Sequence, residues 1–203
     1  MPDTLARMML ARAAWRFNAQ GGHAPLPALI FLTDDERTPD PFPAIEVLPP
    51  ASLVIIRARD PKHRRDLAHA ATPIARARGL MLSVASDAAL AAEISADGLH
   101  LSEAEMEAAA HHRLSSRLLT CAAHSAHAVL HAHRVGAHAV LLSPIFATRS
   151  HSNRASLGVT RLRTIARASP IPIYALGGID AANVGQLNNI PLAGIAAIGA
   201  LLP

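Results

Sequence analysis

Lysine is all but missing from this chain. Lys62 is the only one among 203 residues, so there is no Gly-Lys-Ser/Thr phosphate loop, and a Schiff-base amine has a single candidate. Cysteine is as scarce: Cys121 stands alone, which excludes an intramolecular disulfide framework and suits a reducing cytoplasm. Phe, Trp and Tyr together make up 3% of the residues. With so few aromatic platforms, and with arginines scattered along the chain, no nucleic-acid partner is expected. No apolar run approaches the roughly 20 residues that span a bilayer, so no membrane partner is expected either. Residues 1–26 set Arg7, Arg12 and Arg16 against one acid, Asp3, yet they contain no serine. They also lack a small-residue cleavage site behind an apolar core, which argues against a targeting peptide.

What the chain does have is apolar bulk and arginine. Hydrophobic residues reach 51% and charged residues 17%, a balance that favours a buried core over disorder, at a length that suits one domain. The net charge of +4 rests almost wholly on arginine. Leu5, Met8 and Met9 lie at helical spacing, followed by Trp15 and Phe17, and predict a short helix packed on the body that ends before Gly21. Residues 1–26 are therefore read as a helical extension and 27–203 as the main unit.

In that unit short β-rich runs alternate with alanine-rich stretches. The runs are 28–33, 53–57, 80–84, 98–101, 118–122, 139–143, 171–176 and 194–198. Most lack polar alternation, as expected of parallel strands buried on both faces. Residues 61–78, 87–95, 103–111, 125–135, 160–168 and 180–187 suit helices. The pattern predicts an α/β fold, a small (β/α)8 barrel with an N-terminal helix and a truncated eighth helix. Five prolines between 35 and 50 leave room for only a turn or two of helix in the first crossover. The long segment 144–158, rich in hydroxyls, arginine and histidine, suits an active-site loop.

One stretch stands out: Ile171-Pro-Ile-Tyr-Ala-Leu-Gly-Gly-Ile-Asp180. It reads as a buried strand running into a Gly177-Gly178 turn and then a helix near Asp180. Bare backbone amides in such a turn suit a phosphate, and the ends of the last two strands of a barrel are where one usually sits.

Ordered along the chain are Leu32-Thr-Asp34, Ile56-Arg-Ala-Arg59, Ala96-Asp-Gly-Leu-His-Leu101, Ser143-Pro-Ile-Phe-Ala-Thr148, Pro172-Ile-Tyr-Ala-Leu-Gly-Gly-Ile179 and Gly194-Ile-Ala-Ala-Ile198. As a set they resemble the thiamine phosphate synthase and thiazole tautomerase superfamily, over nearly all of residues 28–201. The resemblance implies an enzyme that joins a pyrimidine diphosphate to a thiazole phosphate and releases diphosphate. It implies Mg²⁺ and cationic groups on the departing diphosphate, and a second grip on the thiazole phosphate.

The match is uneven. By the resemblance, Arg57 and Arg59 bind phosphate, with Arg59 also catalytic. Ile55 replaces a glutamine. Ala85 and Ser86 stand where the family carries Asn-Asp, so one carboxylate ligand for magnesium is gone, and Ser86 is left as a weak substitute. Glu105, with Glu103 nearby, stands where the second ligand is expected. Ala122 replaces a serine before His124. Thr148, Arg149, Ser150 and His151 stand for Thr-x-Thr-Lys, making His151 a catalytic candidate in place of the lysine. Gly177 and Gly178 are kept, while Ile198 and Gly199 replace Val-Ser. The thiazole-phosphate side is thus largely kept and the magnesium-diphosphate side eroded.

His124 is expected at a strand end on the face where barrels do chemistry. In the tautomerase branch a histidine there transfers a proton without a metal. His124, His127 and His131 are read by default as a solvent face, Cys121 as a core residue, and His100 and Phe146 as site-lining or structural. Three functions remain open: a synthase acting on phosphorylated thiazole and pyrimidine partners, a tautomerase-like isomerase using His124, and a non-catalytic paralogue that binds a phosphorylated ligand. A homo-oligomer is compatible with all three.

Overall fold

Each apolar run becomes a short strand. In the computed structural model, which describes residues 2–109, 118–148 and 155–202, these are β1 (Leu29–Leu32), β2 (Leu53–Ile56), β3 (Met81–Ala85), β4 (Gly98–Leu101), β5 (Leu118–Ala123), β6 (Ala139–Leu142), β7 (Ile173–Leu176) and β8 (Gly194–Ala197). They pair in chain order, all parallel. Pairing of β1 with β8, in the register Ile30 to Ala196, closes the barrel. The (β/α)8 fold expected from the sequence is the fold observed.

Alternation along the strands sorts side chains into two cores. Ile30, Leu32, Leu53, Ile55, Leu141, Tyr174 and Ala196 fill the barrel interior. Their neighbours Phe31, Val54, Ile56, Val140, Leu142 and Ile195 pack outward with the helices. Two interior contacts are polar and paired: His100 Nδ1 and Thr120 Oγ1 lie 2.9 Å apart, and the buried Tyr174 hydroxyl donates to the Pro27 carbonyl at 2.6 Å.

The helices begin where the sequence supplies caps. These are α1 (Pro2–Gly21), α2 (Phe42–Val47), α3 (Pro61–Arg78), α4 (Ala88–Glu93), α5 (Met106–Ala109), α6 (Ala126–Arg134) and α7 (Gly158–Ala168). Asp60 caps α3 by accepting the His63 amide, and Gly79 in the left-handed region ends it. Asp87 and Ser125 cap α4 and α6. The proline-rich crossover holds only the six-residue α2, as expected.

Three details differ from expectation. First, α1 runs for 20 residues and buries Leu10, Ala13, Ala14 and Phe17. Of the residues that suggested it, Phe17 is among those buried, while Leu5, Met8, Met9 and Trp15 lie exposed. Second, 180–187 forms no α-helix. Asp180 Oδ1 accepts the amides of Ala182 and Asn183, Asn183 Oδ1 accepts the Asp180 amide, and the Val184 amide donates to the Asp180 carbonyl. The start is capped as a helix start would be, but only a 3₁₀ turn, Val184–Leu187, follows. Third, Glu103–Glu105 is a 3₁₀ turn leading into α5. Among the described residues no helix is long and apolar enough to cross a membrane.

Candidate active site

A cavity of about 590 Å³ opens at the C-terminal ends of the strands. It is lined at the β1–β2 side by Arg37 and Arg57, at the β3–β5 side by Ser86, His100, Glu103 and His124, and at the β6–β8 side by Thr148, Gly177, Gly178, Ile198 and Gly199. The barrel thus brings together residues spread over most of the chain. Arg149, Ser150 and His151 lie outside the described residues.

The Gly177-Gly178 turn is shaped by contact with the loop after β6. The Ile145 amide donates to the Leu176 carbonyl and the Phe146 amide to the Gly177 carbonyl, both at 3.0 Å. Both glycines have positive φ, 101° and 66°, a region that side chains resist. A Cβ on Gly178 would lie 2.6 Å from the Ala147 carbonyl oxygen. The Gly178 carbonyl accepts from Asn183 Nδ2 at 2.7 Å. Among the described residues no acceptor is bonded to the amides of Gly178 and Ile179, and both residues line the cavity. The turn therefore commits its carbonyls to the fold and leaves donors at the mouth. Phe146 packs against the outer core.

Across the mouth, Asp34 organises two arginines. Its carboxylate accepts from Arg37 and Arg57. The Arg57 backbone is fixed in turn by Thr33, whose hydroxyl accepts the Arg57 amide and donates to its carbonyl. Burial alone would raise the Asp34 pKa, but the Arg37 hydrogen bonds and the charges of Arg37 and Arg57 outweigh it and hold it at about 2, against 3.8 ordinarily. Because the folded value is the lower one, this stabilisation is present above 3.8 and is lost as pH falls towards 2. Discounted for partial exposure, it is expected to contribute about 1 kcal/mol. Asp34→Asn should remove it at neutral pH and flatten the acid limb of an unfolding free-energy curve; an unchanged limb would sink the assignment.

Arg59 does not join this group. Its side chain is 85% exposed and pairs with Glu36 at 3.0 Å, on a neighbouring surface hollow and not in the central cavity. The catalytic and phosphate-binding roles expected of Arg59 are not supported by this placement. The physical reason is local: Asp35 Oδ2 accepts the Arg59 amide, and the side chain then follows the outward-facing acids of the β1 loop.

The magnesium candidates are committed elsewhere. Glu105 Oε2 accepts from the Ser86 hydroxyl at 2.6 Å, the Ser102 hydroxyl at 2.6 Å and the Ser102 amide at 2.8 Å. Burial opposes ionisation of Glu105, but these donors and His100 hold its pKa below the ordinary carboxylate value. This is a capping box, with one oxygen already saturated. Glu103 Oε2 accepts the His124 amide at 3.0 Å. Among the described residues no three His, Cys, Asp or Glu side chains converge as a metal-binding group. A hard divalent cation at a phosphate site takes one or two carboxylates beside the substrate oxygens. Here one of the two expected carboxylates is Ser86 and the other, Glu105, has Oε2 held by three donors, a poorer oxygen set than such an ion takes.

His124 Nδ1 lies 2.8 Å from the Ser143 carbonyl. A carbonyl only accepts, so Nδ1 carries the proton and a neutral ring holds its lone pair on Nε2. His124 precedes α6 and its cap Ser125, so it does not share a helical face with His127 and His131. His100 is buried; desolvation, with a contribution from the Arg57 charge, lowers its pKa to about 4, so it is neutral near pH 7. Burial pushes the Cys121 thiol up to about 12, which removes thiolate chemistry.

Two lining residues, Arg37 and Arg64, carry no motif in the sequence that marks them. Arg37 sits in the proline-rich crossover, and Arg64 on a helix that reads as surface. A signal existed for Arg64: the first turn of a helix following a barrel strand lies at the mouth.

Similarity to known proteins agrees with this geometry. The profile of the family described as thiamine monophosphate synthase matches residues 43–201. A thiamine-phosphate synthase of Chloroflexus aurantiacus is 34% identical over 131 residues, 64% of this chain and 61% of that protein. One of Chlorobium luteolum is 29% identical over 180 residues, 86% of this chain and 85% of that protein. The chain spans about three-fifths of the length of some of the curated relatives it matches, such as those of Chloroflexus aurantiacus and Ruminiclostridium cellulolyticum. A solved thiamine phosphate pyrophosphorylase of Pyrococcus furiosus shares the fold, with a TM-score of 0.67 at 22% identity over 84% of each chain.

Proposed function

This chain belongs to the thiamine monophosphate synthase family, and from that premise we propose that it joins hydroxymethylpyrimidine diphosphate to a thiazole phosphate in thiamine biosynthesis. In the proposed reaction the bond between the pyrimidine methylene carbon and the diphosphate oxygen breaks, and its electron pair leaves with the diphosphate. The thiazole nitrogen then donates its lone pair to the resulting cation, forming the new C–N bond. The observation that carries the reading is the Gly177-Gly178 turn: the Gly178 and Ile179 amides, with no acceptor among the described residues, line the cavity beside Thr148 and Gly199. There the thiazole phosphate finds backbone donors. Arg57, on the opposite side, faces the diphosphate in this reading and offsets the charge that develops as it leaves.

A second reading has its own observation. The bond from His124 Nδ1 to Ser143 orients a ring whose basic nitrogen is Nε2, which suits proton transfer on a thiazole carboxylate phosphate, the reaction of a tautomerase-like isomerase. One set of assays separates the readings. Diphosphate release with both substrates supports the synthase. Binding of thiazole phosphate without release sinks it. Isomerisation in that case supports the second reading, and no turnover at all leaves a non-catalytic binding protein.

A further inference from the structure

The diphosphate half of the mouth contains a guanidinium that none of the family-like motifs supplied. Arg64, on the first turn of α3, lines the cavity with its side chain only 14% exposed. It donates to the Ala58 carbonyl at 3.1 Å and to Asp87 Oδ2 at 3.3 Å. Ala58 follows Arg57 and Asp87 follows Ser86, so Arg64 spans the ends of β2 and β3, between Arg57 and the position where a metal carboxylate was expected. Its Nε is buried and has no acceptor among the described residues. Asp34 and Asp87 orient Arg57 and Arg64 respectively, while the nearby Glu105 oxygen is saturated by serine donors.

We infer that this half of the cavity binds a diphosphate-class anion directly through Arg57 and Arg64, with no divalent cation between protein and anion. The inference rests on the synthase reading for its substrate class. Guanidinium forks present paired N–H groups that match phosphate oxygens, so they supply both charge and direction where a metal would otherwise bridge.

The test is calorimetric titration of the full chain with inorganic pyrophosphate, in EDTA and in excess Mg²⁺. Binding is expected in EDTA, with Mg²⁺ leaving the affinity unchanged or weaker. Arg64→Met should weaken it about tenfold or more, and Arg64→Lys, which keeps charge without the fork, by less. Ser86→Asp provides the converse. Ser86 has φ 58°, a conformation aspartate also tolerates, so the variant should fold. It should bind pyrophosphate about tenfold more weakly in EDTA through like-charge repulsion and regain affinity with Mg²⁺. Binding by the parent protein only when Mg²⁺ is present, or an Arg64→Met protein that binds as the parent does, overturns the inference. Thermal melts identify any variant that fails to fold, in which case Arg64→Lys and Ser86→Asp decide. A parallel titration with thiazole phosphate separates the two claims. If it binds and pyrophosphate does not, only this inference fails; if neither binds, the synthase reading fails too.

Discussion

Gly178→Ala is expected to destabilise the protein by about 2–4 kcal/mol and to weaken thiazole phosphate binding by at least tenfold. The stability figure combines a left-handed backbone that costs a side-chain-bearing residue about 1–2 kcal/mol with overpacking of about 1–2 kcal/mol, within the usual range for a single added methyl. The first contribution follows from φ 66°. The second follows from the new Cβ, which would meet the Ala147 carbonyl oxygen at 2.6 Å and Phe146 Cβ at 2.8 Å. Neither neighbour can step aside cheaply, because the Phe146 amide is bonded to Gly177 and the Ile145 amide to Leu176. Relief must come from the turn itself, which moves the very amides proposed to hold the phosphate. Gly185→Ala is the control: a Cβ there would meet nothing within 4 Å, and the backbone lies outside the left-handed region. Urea unfolding and titration of both variants check the claim. A Gly178→Ala protein with parental midpoint and affinity would remove the turn from the site.

The barrel is legible in the sequence because its signal is redundant. Every strand is an apolar run, and helix starts such as Asp60-Pro61, Asp87 and Ser125 carry their own caps. The buried face of α1 is not legible, because periodicity alone fits two faces. Leu5, Met8 and Met9 are larger than Ala13 and Ala14, yet the small residues let α1 approach β8 and are the ones buried. The 180–187 segment misleads because Asp180 and Asn183 cap its first amides as they would a helix start, yet only the 3₁₀ turn Val184–Leu187 follows, and a start signal does not reveal how far a helix propagates.

The site divides along the same line. Gly177 and Gly178 are readable because only glycine suits such a turn, whatever surrounds it. Arginines are different: a long side chain anchored at one strand end can point to the cavity or away. Arg57 is captured by Asp34 and Arg59 by Glu36, a choice made by acids more than twenty positions earlier. Arg64 reaches the mouth from a helix. The erosion at Ala85 and Ser86 is therefore accompanied by cations that no local motif announced.

His124 gives the sharpest separation between the two reactions considered. If the protein isomerises a thiazole carboxylate phosphate, His124→Ala is expected to lower turnover by about 10²–10⁴-fold, the usual contribution of a positioned acid or base. Thiazole phosphate affinity should stay within about threefold, because the proposed grip lies at Gly177 and Gly178. His124→Asn makes the claim specific. An asparagine amide can still donate to the Ser143 carbonyl that now accepts from Nδ1 at 2.8 Å, so the local fold is preserved while the basic nitrogen is gone. Turnover by the Asn variant near the parental rate would reduce His124 to a positioning residue. Condensation makes the opposite demand: its bond changes are heterolysis at diphosphate and attack by a nitrogen lone pair, neither of which takes a proton from the substrate at this position. In that reaction both variants should release diphosphate at rates within about tenfold of the parent. A large loss in isomerisation with little change in condensation assigns His124 to proton transfer, whereas a large loss in both assigns it to the shape of the cavity.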